Sequence, residues 1–315
     1  MTRSSAQPGP DDAAAPGALD GEIERFTVWA ALQRGYAENT LQSYLRDLNA
    51  FSRFLAGCGL RGAAAVERSH IRAFLEHSRT KGGLAAVSLG RRLVSVKILF
   101  RWLVREGLLA KDPASVLQGP RLGRSLPEMI SVEEVGKLLD VWKDAKEPLE
   151  RRNRTMLELF YASGLRVSEL AELRLNGLNF EDGMVRVLGK GSKERVVPMG
   201  RPAQEALKSY LKEVRPALDK TGAAPQVFLS KSGRALTRAM VWNIVRLAAR
   251  LAGITKTVYP HLLRHSFASH LLAGGADLRV IQEMLGHADI GTTQIYTHVE
   301  ADRLAAVHRQ FHPRG

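Results

Sequence analysis

Apolar residues recur at helical spacing along most of the chain. Seven large apolar residues between positions 41 and 55 keep one face over four turns, and Gly57 and Gly59 follow them. A shorter amphipathic stretch surrounds Ile71, and a longer one follows Ser88. The inward positions of the longer one are Leu89, Leu93, Val96, Leu99, Trp102 and Leu103. The spacing predicts a wholly helical domain over residues 21–117.

The pattern before and after this domain predicts three further segments. Residues 1–20 contain few large apolar residues, which is typical of a disordered tail. Residues 118–128 lack periodicity and are rich in Gly, Pro and Arg, so we expect a linker. Helical spacing returns in residues 129–315, where Ser131 and Glu134 form a capping box ahead of the first apolar run.

One part of the second domain alternates with the period of a β-strand. Met184–Leu188 alternates, a polar tip containing Lys190 follows, and residues 195–198 return, which predicts a hairpin. A further short strand is expected at residues 227–229. The expected fold class is therefore mainly α with a small antiparallel β-sheet in the C-terminal domain.

The charge of the chain narrows the class of ligand. The sequence has 46 Lys and Arg against 32 Asp and Glu, a formal net charge of +14, which favours a polyanion. The helix after Ser88 carries five cations and only one neighbouring acid, Glu106, an arrangement that favours phosphate contact over a merely solvated face. These candidate DNA-binding residues are Arg91, Arg92, Lys97, Arg101 and Arg105.

Other classes of protein fit the sequence less well. No apolar run reaches membrane-spanning length, and the polar N-terminus does not look like a signal peptide. The single cysteine, Cys58, excludes an internal disulfide. We therefore expect a cytoplasmic protein without membrane insertion.

Titratable residues gather near the C-terminus in a pattern more typical of a site than of a core. Pro260 suits the first position of a helix, on which His261 and Arg264 share a face. A second helix ends at a glycine, and His287 follows it directly. A third short helix would carry Tyr296.

Candidate residues also lie upstream. Arg166 follows a buried helix that Gly164 stops, and Glu169 comes three residues later, so the guanidinium can be held rigidly with its fork outward. Taken alone, this pair would be interpreted as a surface salt bridge. Lys190 lies in the sequence GKGS, but Met184 stands where a nucleotide-binding loop needs its first glycine, so that class of enzyme is disfavoured.

A metal site is a second interpretation of the C-terminal histidines. His261 and His265 lie four residues apart, which is the spacing of a metal-binding pair on a helix. Leu262 stands where a zinc-protease helix has its glutamate, and no carboxylate or cysteine lies at ligand spacing nearby. The spacing therefore favours no metal.

Six positions together carry a resemblance to a known family. They are Arg166, Lys190, His261, Arg264, His287 and Tyr296. At these positions, over about residues 20–315, the chain resembles the tyrosine recombinases, the lambda-integrase-like site-specific recombinases. YASGLRVSEL, LGKGSKERVVP, HLLRHSFASHLL and LGHADIGTTQIYTH are similar to the Xer branch. The closing THVEADRL and HPRG are more similar to XerD than to XerC.

The resemblance implies a fold and a reaction. A tyrosine recombinase catalytic fold would follow a SAM-like helical core-binding domain, and the two would form a C-shaped DNA clamp. Tyr296 would attack a DNA phosphodiester and form a 3′-phosphotyrosine and a free 5′-hydroxyl. Because the phosphotyrosine keeps the energy of the diester, religation would need neither ATP nor a metal, and no cofactor is expected.

The other positions take roles under the same resemblance. Arg166 and Arg264 would bind the non-bridging oxygens and stabilise the charge of the pentavalent state. Lys190 would protonate the leaving 5′ oxygen, and the two histidines of the set would assist proton transfer and position the phosphate. Glu169 would orient Arg166.

The implied partners are DNA and other recombinase protomers. The resemblance implies a double-stranded recombination site and a ring of four protomers, formed with a second Xer-type recombinase or with itself. A division-linked DNA translocase is a further candidate partner. Residues 301–311 would dock on the neighbouring protomer, while folding back onto their own domain is the alternative.

The implied biological role is the resolution of chromosome dimers at cell division. A phage or mobile-element integrase of the same family is the main alternative. A type IB topoisomerase-like nicking enzyme and a DNA-binding regulator without chemistry rank below it, because the regulator would leave six reactive positions idle.

Overall fold

The structure is a computed structural model that describes residues 17–34, 36, 38–119, 129–189, 194–286 and 298–315. The described residues form two compact units, one before residue 120 and one after residue 128. Each unit has its own hydrophobic core. No helix among the described residues is long and apolar enough to cross a membrane.

The described part of the first unit is built from four α-helices. They are α1 (Asp20–Leu32), α2 (Glu38–Gly57), α3 (Arg68–Thr80) and α4 (Ala86–Arg105). Phe51 lies at the centre of the core, with its ring 5.0 Å from that of Phe74 and 6.3 Å from that of Phe100. The six predicted inward positions of α4 are all buried, which confirms the helical pattern. Helix α4 begins at Ala86, two residues before the predicted start.

The expectation of a disordered tail reaching residue 20 is wrong for its last four residues. Leu19 is fully buried, and its N–H donates to Oγ of Ser52 over 2.8 Å. The N–H of Ala18 donates to the carbonyl of Ser52, and the N–H of Gly62 donates to the carbonyl of Ala18. The average composition of residues 1–20 is polar, and an average does not reveal that one apolar residue among them, Leu19, is buried. Residues 1–16 lie outside the described part of the chain.

The second unit packs helices around a small sheet. Its helices are α5 (Val132–Asp140), α6 (Pro148–Ser163), α7 (Val167–Glu172), α8 (Gly200–Ser209), α9 (Arg215–Leu218), α10 (Arg238–Leu251), α11 (Pro260–Gly274), α12 (Leu278–Leu285) and α13 (His298–Phe311). Its strands are β1 (Leu178–Asn179), β2 (Met184–Leu188) and β3 (Glu194–Pro198). The predicted capping box of Ser131 and Glu134 opens α5.

The sheet has the order β1-β2-β3, and both neighbouring pairs are antiparallel. The register pairs Met184 with Pro198 and Leu188 with Glu194, which confirms the predicted hairpin. Strand β1 has only two residues, too few to give an alternating pattern.

The strand expected at residues 227–229 is not formed. Residues Val227, Phe228 and Leu229 are fully buried, but their backbone bends at Val227 and Phe228 and makes only an isolated bridge between Leu229 and Ala235. The N–H of Val227 donates to the carbonyl of Leu173, and its carbonyl accepts from the hydroxyl of Tyr210. A short apolar run indicates burial, but its backbone groups can be satisfied without a ladder.

The end of α6 is fixed by a close contact with α11. Gly164 adopts a left-handed conformation with φ of 53° and stops the helix. A Cβ at this position would lie 2.8 Å from Cγ of Phe267, which α11 carries. Glycine therefore permits both the turn and the approach of the two helices. Arg166 follows two residues later.

The C-terminal helix α13 packs against its own unit in this structure. Leu304 is fully buried there, and His308 Nε2 lies 2.7 Å from the carbonyl oxygen of Ala162. Nε of Arg314 lies 3.3 Å from Oε1 of the buried Glu158. In this structure residues 301–311 therefore take the alternative arrangement, packed on their own unit, and their docking on a neighbouring protomer stays a prediction.

Candidate active site

Arg166 is positioned by the first turn of α7. As the N-cap residue, it donates its backbone N–H to Oε2 of Glu169 over 2.6 Å. Its guanidinium Nη1 donates to Oε1 of the same carboxylate over 2.8 Å. The side chain of Arg166 is 32% exposed, so part of it is open to solvent.

Arg264 reaches the same place from α11. The predicted helix start at Pro260 is confirmed, and Arg264 lies one turn inside it. Its Nη1 donates to the carbonyl of Gly164 and its Nη2 to the carbonyl of Leu285. Nη1 also lies 4.0 Å from Oε2 of Glu169. The fork of Arg264 is thus held next to that of Arg166.

A third arginine, Arg195 of β3, completes the cluster. It binds both carboxylate oxygens of Glu169, and its Nη2 lies 2.8 Å from Oε2. Its Nε donates to the carbonyl of Met284 over 2.9 Å. The side chains of Arg195 and Glu169 are only 5% and 2% exposed, so this pair is internal.

The three guanidinium groups also share the carbonyl end of α12. Three successive carbonyls, of Met284, Leu285 and Gly286, accept from Arg195, Arg264 and Arg166 in turn. Asp277 caps the start of this helix, and Gly286 ends it in a left-handed conformation. The last carbonyls of a helix lack intrahelical partners and carry its negative dipole end, which suits cations. The chain leaves this point toward position 287.

The electrostatics of the cluster favour an added anion. Burial would raise the pKa of Glu169, but the hydrogen bonds and charges of Arg195 and Arg166 lower it to about 2. Burial, together with the charges of Arg195 and Arg166, lowers the pKa of Arg264 to about 9. Three cations against one carboxylate leave the cluster with excess positive charge, so a phosphodiester would relieve the repulsion.

The structure brings together three of the predicted site residues, Arg166, Glu169 and Arg264. His261 is exposed on the first turn of α11, and its role stays a prediction. Lys190, His287 and Tyr296 lie outside the described residues, although β2 and β3 on either side of Lys190 are described. Within the described ranges, no group of three or more His, Cys, Asp or Glu side chains could hold a metal ion.

Arg195 was missed because the sequence pattern assigned it only to a returning strand. Its cross-strand neighbour is Val187, which is buried, so Arg195 faces the core. Buried arginines are rare unless they are paired. An arginine on the apolar face of a predicted strand is therefore the signal that could have found it.

The five candidate DNA-binding cations of α4 divide into two groups. Arg91 and Arg92 bind inside the first unit, where both approach the buried carboxylate of Asp47. Nη1 of Arg92 also donates to Oγ of Ser78 over 2.6 Å, and its guanidinium lies 5.3 Å from the ring centre of Phe74. These two arginines join helices of the first unit.

The remaining three cations of α4 are Lys97, Arg101 and Arg105. Arg101 and Arg105 are exposed and Lys97 is half-buried. The guanidinium of Arg105 lies 5.7 Å from the ring centre of Trp29. Of the five, these three are the better placed for phosphate contact.

Two family models match the chain, one for each unit. Residues 128–303 match the phage integrase family. Residues 23–107 match the phage integrase N-terminal SAM-like domain. Together the two matches span most of the chain, with the arginine cluster inside the first of them.

Full-length relatives match as well. Tyrosine recombinase XerD of Chlorobaculum tepidum is 43% identical over 301 residues, covering 93% of this chain and 96% of that protein. Tyrosine recombinase XerD of Listeria monocytogenes serotype 4b is 42% identical over 295 residues, covering 93% of this chain and 99% of that protein.

Solved structures share the fold. A XerH site-specific recombinase bound to a palindromic difH substrate matches with a TM-score of 0.67 and 24% identity, over 90% of this chain and 82% of that one. A lambda integrase tetramer bound to a Holliday junction matches with a TM-score of 0.67 and 19% identity, over 93% and 85%. The helical fold with a small antiparallel sheet is thereby confirmed.

Proposed function

Because the chain belongs to the phage integrase family of tyrosine recombinases, we propose that it cuts and rejoins double-stranded DNA at a specific site through a 3′-phosphotyrosine. We further propose that it is an XerD-type recombinase that resolves chromosome dimers at cell division. Identity above 40% to XerD proteins over nearly the whole chain supports this role over that of a mobile-element integrase.

The observation that carries the proposal is the convergence of Arg166 and Arg264 at the carbonyl end of α12. Each guanidinium has five N–H groups, and among the described residues each donates two hydrogen bonds to the protein. The remaining donors suit the non-bridging oxygens of one phosphate, where charge builds up in the transition state. Arg166 is exposed enough for DNA to reach it.

In the proposed reaction, Oη of Tyr296 forms a bond to the scissile phosphorus while the bond from phosphorus to the 5′ oxygen breaks. The phenolic proton is accepted within the histidine pair His261 and His287, and the leaving oxygen takes a proton from Lys190. The products are a 3′-phosphotyrosine and a 5′-hydroxyl. Attack by the 5′-hydroxyl of another strand restores a diester and frees the tyrosine.

The proton donor can be tested by changing the leaving group. Lys190→Ala should slow cleavage of ordinary DNA strongly, since an alkoxide leaves poorly without a proton. A 5′-bridging phosphorothiolate should restore most of the rate, because a thiolate leaves without one. Equal defects on both substrates would assign Lys190 to binding.

The first unit, taken as a core-binding domain that ends near residue 117, would bind the DNA duplex through its exposed cations. The solved lambda integrase structure is a tetramer bound to a Holliday junction. By analogy, we propose a ring of four protomers on two sites, formed with a second Xer-type recombinase, in the cytoplasm.

The test is recovery of a covalent protein–DNA adduct from genomic DNA, followed by sequencing of its attachment point. We expect attachment at one chromosomal site, with DNA joined through its 3′ phosphate. The matched control is Tyr296→Phe, which loses one oxygen atom and should bind DNA with nearly unchanged affinity but form no adduct. Adduct formation by the Phe variant would remove Tyr296 as the nucleophile, and attachment at scattered positions would favour a topoisomerase-like enzyme.

A further inference from the structure

We propose that Arg195 is a positioning residue for DNA cleavage, which holds Glu169 and the end of α12 so that Arg166 and Arg264 face one phosphate. This inference rests on the proposed function. It concerns a residue that binds no DNA itself, because its side chain is only 5% exposed and its partners are internal.

The contacts of Arg195 lock the carboxylate that orients Arg166. Glu169 receives N–H groups from both sides, from the backbone and side chain of Arg166 and from the fork of Arg195. A carboxylate held at both oxygens by a fork cannot rotate without breaking charged hydrogen bonds. Arg195 therefore fixes the direction of the Arg166 guanidinium indirectly, by holding Glu169.

The second lock acts on the end of α12. Arg195 donates to the carbonyl of Met284, and the next two carbonyls accept from Arg264 and Arg166. A Cβ at Gly286 would lie 2.9 Å from Cδ of Arg195, so the chain passes close over its side chain. A shift of Arg195 would thus displace the anchors of both forks together.

Charge gives Arg195 a further effect on the pair. Without it, the buried Glu169 would keep hydrogen bonds only from Arg166, with Arg264 4.0 Å away, and neutralising the carboxylate would release the side chain that it orients. Misplacing catalytic groups by about 1 Å costs about 100-fold in rate. Arg195→Met should therefore slow covalent cleavage by about 100-fold while DNA affinity stays nearly unchanged.

A merely structural role is the competing explanation, and the chain offers a matched control. Arg215 is another buried arginine of the same unit, paired with Asp219 and donating from Nε to the carbonyl of Gln226. It has the same kinds of partner but contacts none of the site residues among those that the structure describes. Arg215→Met should lower stability without a selective loss of cleavage.

The experiment uses full-length protein and a nicked duplex carrying the DNA site recovered from the genomic adduct. Single-turnover adduct formation is measured on the ordinary diester, on a methylphosphonate, which lacks the negative charge, and on a 5′-bridging phosphorothiolate. If Arg195 acts through the arginine pair, the methylphosphonate should bring Arg195→Met within about five-fold of wild type, because a neutral phosphonate needs less cationic stabilisation. The phosphorothiolate should not rescue it.

Two further variants keep the result independent of folding. Arg195→Lys keeps the charge beside Glu169 but loses the fork, so its rate should lie between those of wild type and Arg195→Met. Arg215→Met, compared at equal folded fraction, should match wild type on all three substrates. Equal losses for Arg195→Met on all substrates, or rescue by the phosphorothiolate alone, would overturn the positioning role.

The wild-type protein separates this inference from the proposed function. If wild type forms no adduct on any of the three duplexes, the recombinase proposal fails and the inference fails with it. If wild type cleaves and the Arg195 variants show no substrate dependence, only the inference fails.

Discussion

Each unit of the molecule has a buried acid that binds two arginines, but the surroundings differ. In the first unit, Asp47 pairs with Arg91 and Arg92, and Arg92 also contacts a serine hydroxyl and a phenylalanine ring. In the second, Glu169 pairs with Arg166 and Arg195, whose other partners are the last carbonyls of α12.

The difference shows why a buried ion pair has no function by itself. The arginines of Asp47 bind partners on neighbouring helices, so they join those helices. The arginines around Glu169 are anchored on a helix end that leads to position 287, and part of the Arg166 side chain stays open to solvent. A buried acid that binds two arginines therefore stabilises the first unit and prepares an anion site in the second.

The largest effect is expected from neutralising the two acids. Glu169→Gln keeps the shape of the side chain but loses its charge, and it should slow single-turnover adduct formation by about 100-fold with DNA affinity nearly unchanged. Asp47→Asn should lower the melting temperature, since breaking a buried pair costs about 3–5 kcal/mol, but should leave the rate per folded molecule unchanged. Equal rate losses in the two variants would break the comparison.

The two sites also differ in how far they could be predicted from sequence. The cations of α4 follow from a helical pattern, but the pattern does not show that Arg92 turns inward, because its acid partner lies 45 residues earlier. Arg166 and Glu169 were paired correctly because they are three residues apart. Arg195 was not found, since its partner Glu169 lies on another element and local spacing carries no information about that contact.

The second prediction concerns stability at low pH, because buried histidines are found in the described second unit and not in the first. Burial lowers the pKa of His308 to about 4, and burial together with neighbouring positive charges lowers that of His312 to about 2. Burial also lowers the pKa of His270. The described histidines of the first unit, His70 and His77, are not buried.

The sign follows from which state takes up protons. Between pH 6.5 and 4, the unfolded chain protonates His308 and His312 and the folded chain does not, so stability falls as pH drops below 6.5. At pH 5, each histidine that stays neutral lowers the free energy of unfolding by about 2 kcal/mol. Glu158 opposes this, because burial raises its pKa and the folded state takes its proton first.

Hydrogen exchange at pH 7 and pH 5 should therefore show selective opening of α13 and its neighbours in the second unit. His312→Phe should flatten the dependence, since the ring lies between those of Tyr161 and Phe267, 4.8 and 5.1 Å away. His77→Gln in the first unit is the control and should change nothing. Opening of the first unit ahead of the second would contradict the assignment.

The smallest effect is expected on the outer face of α4, where Lys97 and Arg101 are only partly covered by protein. If they contact phosphates, each acts separately through counterion release. Lys97→Ala and Arg101→Ala should each weaken binding to specific and unrelated DNA alike and reduce the slope of log affinity against log salt by about 1. The effects of the two substitutions should add in the double variant, because no shared carboxylate couples the two side chains.

Arg92→Ala is the contrasting variant. It should lower the melting temperature, because the Arg92 guanidinium is bound to Ser78 and stacked on Phe74. It should leave the salt slope unchanged. A changed slope for Arg92→Ala, or unchanged slopes for Lys97→Ala and Arg101→Ala, would remove the division of the α4 cations into joining and DNA-binding groups.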